Sequence, residues 1–363
     1  MTASEILTLD PTADVAQLTA DIMDIESVSG NEKALADAVG AVLRSCEHLE
    51  VVREGDSLIA RTNLGRQERV ILAGHLDTVP LPHVQGSRGT VPSRWEGDVL
   101  YGRGATDMKG GVAVQLALAV ALTEPSRDVT YVFYDHEEVE ASLSGLGRLV
   151  GSFPEWLQGD FAVLLEPTNG TVEGGCNGTA RFDVTTTGRA AHSARAWMGE
   201  NAIHGVAEVL VRLRDHEPAT VTVDGLDFRE SLNAVLITGG TAGNVIPDRA
   251  VVEVNYRFAP DKTPEQAEEY VRSLLEGFDV VRTDAAAGAR PGLNHPAAAE
   301  FVAAVGEEPK PKYGWTDVAR FSAMGIPAVN FGPGDPLLAH SDDEHVHADA
   351  IRACLKALNE WLA

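Results

Sequence analysis

Three apolar runs in this chain each finish on a histidine or a carboxylate: VILAGHLD at 70–77, VTYVFYDHEE at 129–138 and FAVLLEP at 161–167. Runs of this kind read as strands buried on both faces, as in parallel sheets covered by helices. In an open α/β sheet, ligands bind beyond the carboxyl ends of the strands, so the polar residues closing these runs fall where an active site belongs. The expected class is α/β, with a mixed, largely parallel sheet flanked by helices. The helices are expected at 14–26, 31–45 (with Asn31 as its cap), 110–122, 297–306, 316–324 and 347–362, and further strands near 49–63 and at 327–331.

At 363 residues the chain is long for a single core, which implies a second domain. From about residue 178 the texture changes to strand ARFDVTTT, helix 201–214, strands LNAVLITGG and AVVEVNYRFA, helix 264–276 and strand FDVVRTD. That β-α-β-β-α-β order predicts an α+β unit, an antiparallel sheet covered on one face by two helices. The loop DAAAGARPG at 284–292 reads as the return crossing, so the unit is an insertion. The expected division is 1–177 and 291–363 for the first domain and 178–290 for the inserted one.

With 54 acidic against 29 basic residues the formal charge is −25, which argues against nucleic acid or an anionic membrane surface as partner. Cys46, Cys176 and Cys354 are odd in number and lack a CxxC pair, so neither a disulfide framework nor a thiolate metal knuckle is indicated. The start has no basic stretch followed by an apolar run, and no apolar run reaches the roughly 18 residues of a membrane span. A reducing cytoplasm is the expected setting.

His75, Asp77, Asp107, Glu137, Glu138, Glu166 and His340 are the polar residues that the strand ends and neighbouring loops supply. Two zinc ions about 3.5–4 Å apart need few protein ligands when one carboxylate bridges them, and histidine and carboxylate are the right donors. Asp77, two residues beyond His75, could accept the second ring N–H of that histidine. Of the adjacent Glu137 and Glu138, one can ligate a metal while the other takes a proton from water. Taken singly, each residue reads more readily as a hydrogen-bonded loop residue than as a ligand. His192 reads as a surface histidine in a loop, Asn244 as a turn residue and Arg257 as one end of a surface salt bridge. The run GRGATDMKGG at 102–111 lacks GxGxxG and the Walker pattern, and Lys109 within it reads as structural.

The runs GHLDTVP, GRGATDMKGG, Glu137–Glu138, LLEPTNG, AAHSARAWMGENAI, GNVIPD and His340 together resemble the M20 family of di-zinc amidohydrolases and peptidases, over essentially the whole chain. The likeness is strongest to the succinyl-diaminopimelate desuccinylases. It implies two Zn2+ per subunit, replaceable by Co2+, with Asp107 bridging, His75 and Glu166 on one ion, and Glu138 and His340 on the other. Glu137 would be general base and acid, and Asp77 would orient His75. The inserted domain would form a homodimer whose His192 reaches the partner's site, with Asn244 beside it. Arg257 and Arg320 would hold substrate carboxylates. The implied reaction is hydrolysis of N-succinyl-LL-2,6-diaminopimelate to succinate and LL-2,6-diaminopimelate, a step of lysine biosynthesis. Other deacylases and dipeptidases, such as N-acetylornithine deacetylase, share these motifs. Two departures stand out: His136 occupies a position often acidic in the family, and YGWTDVARF at 313–321 replaces the common GTSDGRF.

Overall fold

The structure, a computed structural model, describes residues 8–363. The chain divides into two compact units. The first runs from the start of the described residues to Gly174 and resumes over Gly292–Lys310 and Arg320–Ala363. The second comprises Gly175–Pro291 and Pro311–Ala319.

The first unit is built on a mixed sheet whose centre is parallel. Arg69–His75 lies between Asp128–Tyr134 and Phe161–Leu164, and Ala328–Asn330 continues the parallel series beyond Phe161–Leu164. Ser57–Arg61 and Glu50–Glu54 extend the other side antiparallel. All of Asp128–Tyr134 and Phe161–Leu164 is buried, as is Arg69–His75 after its first residue. This burial is why these strands are continuous apolar runs rather than alternating ones. Helix Lys109–Ala121 is buried around most of its girth and packs with Val15–Met23 and Ala348–Leu362.

The register aligns three strand ends side by side: His75 stands opposite Tyr134, and Ala73 opposite Leu164. Glu137, Glu138 and Glu166 therefore emerge next to His75 although up to 91 residues separate them in the chain. The strand expected to run to 138 stops at Tyr134, because the chain turns through Asp135 and His136, whose φ of 56° lies in the left-handed region. A small sheet of Arg94–Glu96, Val99–Tyr101 and His345–His347, not foreseen from the sequence, links the segment before Asp107 to the one after His340. The expected Asn31 cap is also corrected. The helix begins at Lys33, and the Asn31 amide donates to Glu26 instead.

The second unit has a four-stranded antiparallel sheet in the order Ser231–Gly239, Arg249–Phe258, Gly178–Thr187, Asp279–Ala286. Its helices share one core with the sheet, in which Phe182, Val184, Val206, Val209, Val252, Val254 and Val271 are buried. Asn201 caps helix Ala202–Asp215, and a Thr263–Gln266 capping box with Pro264 opens Pro264–Leu274. The hairpin Thr220–Val223 with Leu226–Arg229 adds two strands to the expected order. Among the described residues no helix is long and apolar enough to cross a membrane.

Helix Lys109–Ala121 approaches the central sheet so closely that a Cβ on Gly111 would clash with the backbone carbonyl of Leu165, the residue before Glu166. Backbone cannot retreat as a flexible side chain can. Gly111→Ala should therefore destabilise the first unit by at least ~1–3 kcal/mol in denaturant unfolding. An unchanged unfolding midpoint would contradict this helix–strand contact.

Candidate metal centre

The site is assembled from strand ends and two loops. His75 is the last residue of its strand and Asp107 lies in the turn leading into helix Lys109–Ala121. Glu137 and Glu138 follow the left-handed turn at His136, and Glu166 lies two residues past Leu164. His340 has a φ of 63° in the loop before His345–His347. Left-handed backbone is uncommon for residues with a Cβ and costs ~1–3 kcal/mol, so two instances in one cluster point to an imposed geometry.

Asp107 is at the centre. Its Oδ1 lies 3.0 Å from His75 Nε2, and its Oδ2 lies 3.3 Å from His340 Nε2. His340 Nε2 also lies 3.0 Å from Glu138 Oε1, and His75 Nε2 lies 3.9 Å from Glu166 Oε1. Two sets of donors result, His75 with Asp107 and Glu166, and His340 with Asp107 and Glu138, each within 4.8 Å of one another and sharing Asp107. Glu137 joins His75 and Glu138 in a further set. Imidazole and carboxylate donors in two groups joined by one carboxylate fit a pair of divalent ions of the zinc type.

Orientation of His75 comes from Asp77, whose backbone carbonyl and carboxylate both face Nδ1 of the ring. The backbone carbonyl of Asp77 is 3.0 Å from His75 Nδ1, whereas its carboxylate Oδ1 is 3.5 Å away. Two oxygens facing Nδ1 require that nitrogen to carry the proton, leaving Nε2 as the donor atom toward Asp107 and Glu166. The buried Asp77 carboxylate also accepts the N–H of Glu137 on Oδ1 and that of Glu138 on Oδ2, both at 3.0 Å, and the Ser29 hydroxyl at 2.7 Å. Burial works against its charge, but these donors and His75 hold its pKa down at about 2.

His136 Nδ1 lies 2.6 Å from Asp135, whose carboxylate also receives Arg148 and Ser57, while its backbone N–H donates to Glu32. These partners fix the turn that presents Glu137 and Glu138, and none was legible in local sequence. Glu344 was likewise missed. Its only sequence signal is an acidic run, SDDE, directly after His340.

The remaining expected residues are not among these donor sets. Arg320, in the first unit, is half-buried and its guanidinium reaches the carbonyl of Ala141 at 3.5 Å. In the second unit, His192 is not in a free loop as expected. Ala191–His192 pairs as a two-residue strand with Val245–Ile246, so Asn244 adjoins it and the Asn244 carbonyl accepts Ser193 N–H at 2.9 Å. The pairing forms because GNVIPD presents a short extended segment to a chain already turning at Ser193. His192 is exposed, and its Nδ1 accepts the N–H of Ala194. Arg257 is half-buried on strand Arg249–Phe258, between Ser231 and Thr179. Burial, with Arg181 nearby, pushes its pKa down.

Residues 71–363 match the profile of peptidase family M20/M25/M40. A Mycobacterium tuberculosis protein named "Putative succinyl-diaminopimelate desuccinylase DapE" is 51% identical over 357 residues, spanning 98% of this chain and 99% of that one. The succinyl-diaminopimelate desuccinylase of Corynebacterium glutamicum is 43% identical over 366 residues, 98% of each. Among solved structures, a Staphylococcus aureus tripeptidase superimposes with a TM-score of 0.77 over 98% of each chain at 19% identity, a likeness of fold.

Without metal, the two histidines hold protons. Burial pulls the His75 pKa down, but Asp107, Asp77 and Glu166 outweigh it and leave it well above the ordinary value. Hydrogen bonds donated to the Asp107 and Glu138 carboxylates lift His340 to about 10. Metal requires neutral imidazole, so loading must expel these protons. Below the raised pKa values, affinity should climb about tenfold per pH unit for each proton expelled. Calorimetry at neutral pH in buffers of differing ionisation enthalpy should register net proton release, and zero release would refute the protonated state.

Proposed function

We propose, from the premise that this chain belongs to peptidase family M20/M25/M40, that it hydrolyses the N-succinyl amide of N-succinyl-LL-2,6-diaminopimelate, yielding succinate and LL-2,6-diaminopimelate for lysine biosynthesis. Metal-dependent hydrolysis is common ground for the family, and the reading of substrate rests on one observation. Two relatives aligned from end to end, at 51% and 43% identity, carry that name.

In this reading Asp107 would be shared by two metal ions, with His75 and Glu166 available to hold one and Glu138 and His340 the other. The divergence of the two Asp107 oxygens toward the two imidazoles supports it. Two Zn2+, with Co2+ as a substitute, would supply Lewis acidity toward the amide carbonyl. Glu137 takes a proton from the attacking water as it adds to the carbonyl carbon, then delivers it to the departing amine as the C–N bond breaks. Asp77 holds Glu137 through its N–H and His75 through its ring. His192 of the partner subunit donates to the oxyanion, with Asn244 beside it.

The first unit would serve catalysis and the second dimerisation. The homodimer is supported by an edge strand, Ser231–Gly239, on which Val235, Leu236 and Ile237 are 55%, 55% and 48% exposed in a row. Such an edge invites pairing with a second copy. Arg257 and Arg320 recognise substrate carboxylates, for which the planar guanidinium is suited. All three cysteines are free, in keeping with a cytoplasmic setting.

Glu137→Gln should retain both metal ions and lose at least ~100-fold in turnover, measured as succinate release. Near-normal turnover would refute the base assignment. A mixture of His192→Ala and Glu137→Gln subunits should regain activity through hybrid dimers carrying one intact site, whereas no recovery would count against a site shared between subunits. Purified protein assayed on succinyl-diaminopimelate, acetylornithine and simple dipeptides should favour the first. Preference for either of the others would assign it to another deacylase or dipeptidase of the family.

A further inference from the structure

Directly behind Asp107 and His340 lies an ion pair that the reaction above does not use. Glu344 and Arg103 meet at 2.7 Å with side chains 1% and 3% exposed. The second oxygen of Glu344 accepts two successive backbone N–H groups, those of Thr106 and Asp107, each at 3.0 Å. Gly102 N–H donates to the Glu344 carbonyl at 3.1 Å, and the Thr106 hydroxyl to the His345 carbonyl at 2.7 Å. Arg103 reaches back to the Ser341 carbonyl at 3.3 Å. These bonds fasten the Asp107 turn to the segment that carries His340, four residues before Glu344.

Stability alone is a poor account of such a pair. A buried ion pair often contributes no more than apolar side chains of similar volume, because desolvation offsets the Coulombic gain. What an apolar pair could not supply is an acceptor for the Thr106 and Asp107 N–H groups. Asp77 plays the same part on the other side of the site, where it accepts the N–H groups of Glu137 and Glu138. Each buried carboxylate thus grips the peptide of a residue whose side chain faces the centre.

We propose that Glu344 is a positioning residue for the metal centre. Resting on the two-metal reading above, it sets the Thr106–Asp107 peptide so that the Asp107 oxygens diverge toward His75 and His340, and it fixes the distance of that peptide from the His340 segment. Its loss should weaken the ion held by Asp107, Glu138 and His340 more than the one held by His75 and Glu166.

Two double variants separate the grip from the charge. Glu344→Gln with Arg103→Gln replaces the ion pair by an amide pair and keeps an acceptor for the two N–H groups. Glu344→Ala with Arg103→Ala removes both. Zn2+ affinity is measured by chelator competition and geometry by the visible spectrum of the Co2+-loaded protein, alongside unfolding of the metal-free protein. The alanine pair should bind its second ion about 10–100-fold more weakly with an altered Co2+ spectrum, and the glutamine pair should restore both. If the alanine pair does not fold, Glu344→Asp, too short to reach the two N–H groups, should show the same loss. Wild-type affinity and spectrum in every variant lacking the grip, whatever their unfolding midpoints, would overturn the proposal alone. Wild-type protein that takes up fewer than two ions would overturn the two-metal reading and the positioning role with it.

Discussion

Asp107 presents its two oxygens to two imidazoles, while Glu138 and Glu166 crowd toward the same point. Carboxylate charges about 4 Å apart repel by about 4 kcal/mol at an effective dielectric near 20. A hydrogen bond to a charged group returns about 1.5–3 kcal/mol. Backbone donors alone therefore do not settle three converging carboxylates, and cations are required. Protons on His75 and His340 serve in the metal-free state, and they occupy the nitrogens a metal would use. The surrounding fold can be understood as the framework that holds these like charges together.

That framework divides the work between rigid strands and gripped loops. The parallel register sets where His75 and Glu166 emerge, since neither can shift without sliding a fully buried strand. Glu137, Glu138, Asp107 and His340 lie in loops, which have no register of their own. In two of these loops a buried carboxylate substitutes, Asp77 for the first pair and Glu344 for the Asp107 turn. The left-handed turns at His136 and His340 fit this account, because backbone of that conformation persists only where its surroundings over-determine it.

The sequence was most informative where one physical rule acted locally. Burial on both faces writes a strand as an unbroken apolar run, so VILAGHLD and FAVLLEP declared both their conformation and the polar residues at their ends. The alternating strands and capped helices of the second unit were legible for the same reason. Local signals failed where a partner distant in sequence decides the outcome. The strand at 128–134 ends early because His136 is held by Glu32 and Asp135, and no property of VTYVFYDHEE contains Glu32. The sheet joining Val99–Tyr101 to His345–His347 pairs residues more than 240 apart, and each strand is too short for its periodicity to be seen. His192 is exposed as its sequence suggests, but its pairing has no local signal because a two-residue strand has no pattern at all.

In the proposed reading, substrate choice would be governed by the same contest between charge and burial. A net charge of −25 opposes a substrate bearing several carboxylates, but beyond a Debye length of about 8 Å salt screens much of that field. Local cations therefore decide. Arg257 is half-buried with Arg181 for a neighbour, and both circumstances disfavour its charge. In the proposed reading a substrate carboxylate would relieve both at once, by replacing lost hydration and offsetting the second guanidinium. A neutral group at that position would do neither. In that reading the metal centre would determine that an amide is cleaved, and the unfavourable state of this arginine would give an anionic substrate its advantage over a neutral one.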